Sequence, residues 1–113
     1  MGHNEQFYIN GQWVEPSSPN PLDVIDPSTE EAVATIQLGS QADTDAAVAA
    51  AKTAFESWSQ TPKADRLAAI QRIFDEYQKR SEDLAQAMTR EMGAPIDLSR
   101  SAQVGAGTWH IKN

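Results

Sequence analysis

Two short extended runs of aromatic and β-branched residues, Phe7-Tyr8-Ile9 and Gln12-Trp13-Val14, lie on either side of Asn10-Gly11. Such side chains suit a pleated surface, and Asn-Gly tolerates the positive φ of a type I′ turn, so the pattern predicts a β-hairpin. Glu15 to Pro21 brings three prolines, two serines and an asparagine, which reads as a loop because proline gives no donor to a ladder. Leu22 to Asp26 reads as a strand stopped by Pro27, and Asp26 to Glu31 as a turn. Ala32 to Leu38 has an alternating pattern and is closed by Gly39.

The period changes at Ser40. Ser40-Gln41-Ala42-Asp43 has the spacing of a capping box with Asp in place of Glu. Beyond it Ala47, Val48, Ala51, Phe55 and Trp58 recur every three or four residues, while Asp45, Lys52 and Glu56 face elsewhere, which predicts a helix over 41–58. Thr61-Pro62 predicts an N-cap hydroxyl followed by proline at the first helical position. Leu67, Ile70, Phe74, Tyr77, Leu84 and Met88 continue the helical spacing, interrupted only by Ser81. An unbroken rod of ~30 residues would be ~45 Å long. A break is expected instead, with Ser81 as a new N-cap and Glu82 and Asp83 in the first turn. Gly93 and Pro95 close that helix. Ile96 to Asn113 reads as a weaker last helix, since Gly105 and Gly107 each cost ~1 kcal/mol against alanine. The chain is expected to stop inside it, which reads as truncation.

With 113 residues there is room for one small domain, β-rich over about 7–39 and helical over about 41–113. Apolar residues at 40% and charged residues at 22% are ordinary globular usage. Sixteen acidic against nine basic residues give a net charge of -7, which argues against nucleic acid and anionic membrane surfaces as partners. The lack of cysteine removes disulfides, thiolate metal sites and a thiol nucleophile at once. Neither a signal peptide nor a spanning helix is legible, so the expected compartment is the cytoplasm.

Few residues offer chemistry. Val104-Gly105-Ala106-Gly107 holds a Gly-x-Gly without the preceding strand and third glycine of a dinucleotide loop, and reads as small residues at a helix contact. His3 lies in a polar leader, and His110 lacks a second ligand at metal spacing, so both read as inert. The pairs Glu30-Glu31, Asp75-Glu76 and Glu82-Asp83 read as solvated rather than as a general acid and base. Phe7, Tyr8, Trp13, Phe55, Trp58, Phe74 and Tyr77 fall at strand or helix periods and are expected in a core.

Five segments in order, Tyr8 to Val14, Val24-Ile25-Asp26-Pro27-Ser28-Thr29-Glu30, Asp45 to Phe55, Arg66, and Glu91-Met92-Gly93-Ala94-Pro95, resemble the N-terminal region of the aldehyde dehydrogenase superfamily. The likeness spans about residues 7–113. It implies an α/β fold: the N-terminal portion of the aldehyde dehydrogenase fold, with β-hairpins followed by three or four helices flanking a Rossmann-like cofactor domain mostly absent from this chain. It further implies an oxidoreductase that uses NAD or NADP to turn an aldehyde into a carboxylic acid through a cysteine thiohemiacetal. The catalytic cysteine, the activating glutamate and the phosphate-binding loop of that family have no counterpart here, so no catalytic and no cofactor-binding residue carries over. Asp26-Pro27 stands where many members have Asn-Pro, and Met92-Gly93-Ala94-Pro95 where many have Thr-Gly-Lys-Pro.

One site carries over by position. Several members of the family bind a monovalent cation with two backbone carbonyls before the Asn-Pro turn and a carboxylate two residues before the glycine. The corresponding residues are Val24, Ile25 and Glu91, whose oxygens suit a hard cation. Glu91 equally suits a helix cap or an ion pair. The resemblance implies as partners an aldehyde, the remainder of the enzyme chain and, when complete, further copies in a homo-oligomer. The segment alone is expected to be inactive, with the stripe of Val48, Phe55, Trp58, Leu67, Ile70, Phe74, Tyr77 and Leu84 packed in the full enzyme but insufficiently covered here. The alternative is a non-catalytic helical interaction module derived from the same family.

Overall fold

The structure, a computed structural model, describes residues 2–113. Its elements run β1 (Phe7–Ile9), β2 (Gln12–Val14), β3 (Pro21–Asp26), β4 (Glu31–Gln37), α1 (Gln41–Trp58), α2 (Lys63–Lys79), α3 (Ser81–Met92) and α4 (Ile96–Leu98), then a π-turn at Ser99–Gln103 and α5 (Val104–Lys112). Two compact units emerge. One takes in the residues to Ile25 with Ala32–Thr61, the other Asp26–Glu31 with Pro62–Asn113.

In the first unit β1 and β2 pair antiparallel, Phe7 with Val14, Tyr8 with Trp13 and Ile9 with Gln12. Asn10 at φ 52° and Gly11 at φ 76° make the turn, the two positive dihedrals that an Asn-Gly pair accepts at low cost. β3 and β4 form a second two-stranded sheet. Ser40 begins α1 with a complete capping box: its hydroxyl accepts from the Asp43 amide, and the Asp43 carboxylate accepts from the Ser40 amide. Ser17 joins this cap, its amide donating to Asp43 Oδ1 at 2.9 Å and its hydroxyl lying 2.7 Å from that of Ser40. His3, read as chemically inert, stacks on Trp13 with ring centroids 4.2 Å apart.

The helix starts in the second unit differ from those expected. Pro62 rather than Thr61 is the N-cap of α2; its extended ψ of 147° aims its carbonyl at the amides of Asp65 and Arg66, with no side-chain cap bond. Ser81 is not an N-cap either. Arg80, at φ −103° and ψ 15°, is the hinge residue, and Ser81 is already helical. The break is thus slight: Arg80 still donates to the Glu76 carbonyl while its own carbonyl accepts from Leu84. Gly93 ends α3 at φ 70°, and a Cβ there would fall 2.7 Å from Cγ of Pro27, so the left-handed cap and the tight contact both call for glycine. The last helix is not uniform, because the π-turn divides it.

The fully packed apolar residues are few. Ala85 and Val104 are buried, and Ser99 is buried beside them. α3 packs on α2, α4, the π-turn and α5, which places that small core in the second unit. The aromatic residues expected inside mostly are not: Tyr8, Trp13, Phe55 and Trp58 remain exposed, Phe55 at 64%. A two-stranded ribbon or a single helix covers only one side of its neighbour, and α1, though it meets β1 of its own unit, has no buried residue.

Candidate functional site

Polar side chains of the second unit, buried Ser99 at their centre, meet at the π-turn. Thr89 Oγ1 on α3 donates to Ser99 Oγ at 3.1 Å, and Ser99 Oγ donates to Gln103 Oε1 at 3.1 Å. Tyr77 on α2 donates its hydroxyl to the Val104 carbonyl at 3.0 Å, and Gln78 Nε2 donates to Thr108 Oγ1 at 2.9 Å. Burying hydroxyls and an amide is tolerable only when they are bonded, and these satisfy one another. As chemistry the cluster is quiet. Two hydroxyls and a neutral amide supply no base able to take a proton from Ser99, so it is a fastening for the turn rather than a nucleophilic centre.

A charged clamp adjoins it. Arg100 grips Glu82 with both ends of its guanidinium, Nε to Oε2 at 2.9 Å and Nη2 to Oε1 at 2.7 Å. These bonds, with a further one from Gln86, hold the Glu82 carboxyl down to about 2 and raise Arg100 above its ordinary value. Asp26 is likewise lowered, chiefly because the hydroxyl and amide of Ser28 donate to it. Asp43 is lowered by the amides of Ser40 and then Ser17. Each depression has a structural cause in a turn, a cap or an ion pair.

The positions singled out from sequence as a site are not members of this cluster. Val24 is half-buried and Ile25 exposed in β3, in the first unit; Glu91 is exposed on the last turn of α3, in the second. Among the described residues no group of three or more His, Asp and Glu side chains is placed to hold a metal ion. The Gly-x-Gly lies within α5. A Cβ on Gly107 would overlap the Tyr77 hydroxyl, so this glycine serves a helix contact and offers no cradle to a phosphate. His110 meets Trp109 edge-on at 5.0 Å. Leu67, Ile70, Gln71 and Phe74 of α2 and Ile111 and Lys112 of α5 line an open, mostly apolar groove. Sequence reasoning missed both the Ser99 fastening and the Glu82–Arg100 clamp. Their partners are 10 and 18 residues apart, and no local motif links them.

Residues 13–112 match the sequence model of the aldehyde dehydrogenase family. A 3-succinoylsemialdehyde-pyridine dehydrogenase of a Pseudomonas species is 41% identical over 98% of this chain and 24% of its own length. The crystal structure of an aldehyde dehydrogenase from Bartonella henselae superposes with a TM-score of 0.96 at 51% identity, over 97% of this chain and 23% of the other. A Pseudomonas syringae aldehyde dehydrogenase, a mutant complexed with NAD+ and octanal, gives 0.95 at 44% identity over the same shares. The chain therefore spans about a quarter of the length of these relatives. With nearly its whole length matched in sequence and in fold, the chain belongs to the aldehyde dehydrogenase family, whose N-terminal part it resembles.

Proposed function

We propose that this segment is N-terminal scaffold of an NAD(P)-dependent aldehyde dehydrogenase, which oxidises an aldehyde to a carboxylic acid through a cysteine thiohemiacetal formed outside these 113 residues. The observation that carries the reading is a TM-score of 0.96 over 97% of this chain against 23% of its neighbour. A near-complete match to a quarter of an enzyme is what a scaffold part of that enzyme gives. The open apolar stripe of α1 supports it, since exposed Phe55 and Trp58 ask for a covering layer. So does the chemistry: the chain has no cysteine, and its buried Ser99 hydroxyl is taken up by Thr89 and Gln103. No residue here is assigned to the dinucleotide.

The aldehyde substrate, the use of NAD or NADP, the cytoplasmic setting and a homo-oligomeric state of the complete enzyme rest on the resemblance and belong to the same proposal. So does a monovalent cation at the carbonyls of Val24 and Ile25 and the carboxylate of Glu91, a set of hard oxygen donors. The reading frame after the Asn113 codon tests the proposal. Continuation into a glycine-rich segment and a cysteine is expected; an immediate stop would favour the non-catalytic interaction module instead.

A further inference from the structure

The helical stretch from Ile96 to Lys112 is fastened at both ends of its π-turn. Upstream, fully buried Ser99 is bonded to Thr89, and Arg100 is clamped to Glu82. Downstream, Val104 is buried with its carbonyl held by Tyr77, Gly107 lies against the Tyr77 ring, and Thr108 is held by Gln78. Between the fastenings Ser101 and Ala102 are exposed. The Val104 amide donates to the Ser99 carbonyl, five residues back, so the turn holds one residue more than an α-turn would.

That extra residue sets the phase of everything after it. Were the same residues wound as a plain α-helix from Ser99, each later site would be taken by the preceding residue. Gln103 would then fill the core site of Val104, and Ala106 the slot beneath Tyr77. The first would bury an amide in an apolar site, and the second would set a Cβ in the slot of Gly107, where it would meet Tyr77 Cζ at 2.7 Å. The sequence beyond the turn is thus written in the shifted phase. Removing one residue from the exposed arc would give a straight α-helix with Ser99, Val104 and Gly107 all in their present places. Within the arc the Ser101 hydroxyl donates to the Asp97 carbonyl at 2.6 Å, a bond internal to the helical stretch, and none of the fastenings to α2 and α3 named above uses Ser101 or Ala102.

We propose that the extra residue of the Ser99–Gln103 turn is carried for catalysis rather than for folding: it holds the arc of Ser101 and Ala102 out from the helix as a positioning element of the dehydrogenase. This rests on the function proposed above. π-turns have poorer hydrogen-bond geometry than α-helix and concentrate at functional sites, which is the distribution expected of a feature that folding alone would discard.

The test is deletion of Ser101 in the complete dehydrogenase chain, beside Ser101→Ala, which keeps the residue count. The deletion is expected to leave the melting temperature within about 3 °C of the parent while kcat/KM for the aldehyde falls about tenfold or more, the scale on which small displacements act. Ser101→Ala should keep kcat/KM within about twofold. A deletion variant that no longer folds shows that packing needs the turn, and one with parental kcat/KM shows a neutral insertion; either overturns the inference. An equal fall in Ser101→Ala also overturns it, by tracing the effect to the hydroxyl. A parent chain without dehydrogenase activity defeats the functional reading itself, a result distinguishable from the others because it is seen before any variant is made.

Discussion

Tyr77 lies across Gly107, its hydroxyl oxygen so near that a Cβ at that position would overlap it, while the same hydroxyl donates to the Val104 carbonyl at 3.0 Å. One side chain thereby fixes both the distance and the phase of α5 on α2. Gly107→Ala should destabilise the chain by about 1–3 kcal/mol through overpacking. Tyr77→Phe should cost about 1 kcal/mol for the lost bond and leave the clash of the double variant largely in place, because the ring carbon, 2.7 Å from that Cβ, remains. Urea midpoints of the four proteins check this; a Gly107→Ala midpoint equal to the parent's would remove the contact.

The cap of α1 is expected to carry a measurable share of its stability. Ser40→Ala removes the oxygen that accepts from the Asp43 amide and should cost about 1 kcal/mol, whereas Ser40→Thr should restore most of it. Thermal melts of the three proteins decide the matter. No difference between Ser40→Ala and parent would contradict the cap.

Acid sensitivity should centre on Glu82. Its carboxyl is held down to about 2 in the fold against an ordinary 4.5, so folding favours the deprotonated form. The stabilisation is complete above the ordinary value and is lost as pH falls from about 4.5 to about 2. Glu82→Gln or Arg100→Met should flatten that part of the stability-versus-pH curve and lower the neutral plateau by the same amount, a modest one because the pair is exposed and screened. Denaturation midpoints across that range give the slope, and identical slopes in parent and variants would clear Glu82 of the role.

Local chemistry makes much of the fold legible. Asn10-Gly11 specifies the first turn, Ser40 and Asp43 specify the start of α1 at Gln41, and Gly93 specifies the end of α3. Each is settled within a few residues of backbone. Where the outcome depends on distant partners the pattern is silent: Ser81 has the chemistry of a cap, yet Arg80 keeps the chain nearly helical and takes that place. The π-turn is invisible to periodicity, because it is fixed by Thr89, Tyr77 and Glu82 on other helices. The helical stripe reads as apolar and as insufficiently covered in this segment, and Val48, Phe55, Trp58, Leu67 and Ile70 are indeed exposed, whereas a period alone, which reports the apolar face and not what lies over it, puts Tyr8 and Trp13 wrongly in a core. Val24, Ile25 and Glu91 stand out by resemblance, with no pattern of their own.

For the proposed cation, Glu91→Gln keeps the shape and removes the charge. Binding only to the folded state, the ion should raise the melting temperature of the complete enzyme with concentration. Melts in potassium and in a bulky organic cation at equal ionic strength are expected to differ for the parent and to converge for the variant. Equal differences in both would leave Glu91 as a helix-end residue without a ligand.

The central claim, that these residues are scaffold of an aldehyde dehydrogenase and contribute none of its reacting groups, is tested most directly by NAD+ or NADP+ reduction. An aldehyde should be turned over by the chain that continues beyond Asn113 and not by the 113 residues alone. Formation of reduced nicotinamide by the purified 113-residue chain, or none by the complete chain with any aldehyde or either dinucleotide, would contradict it.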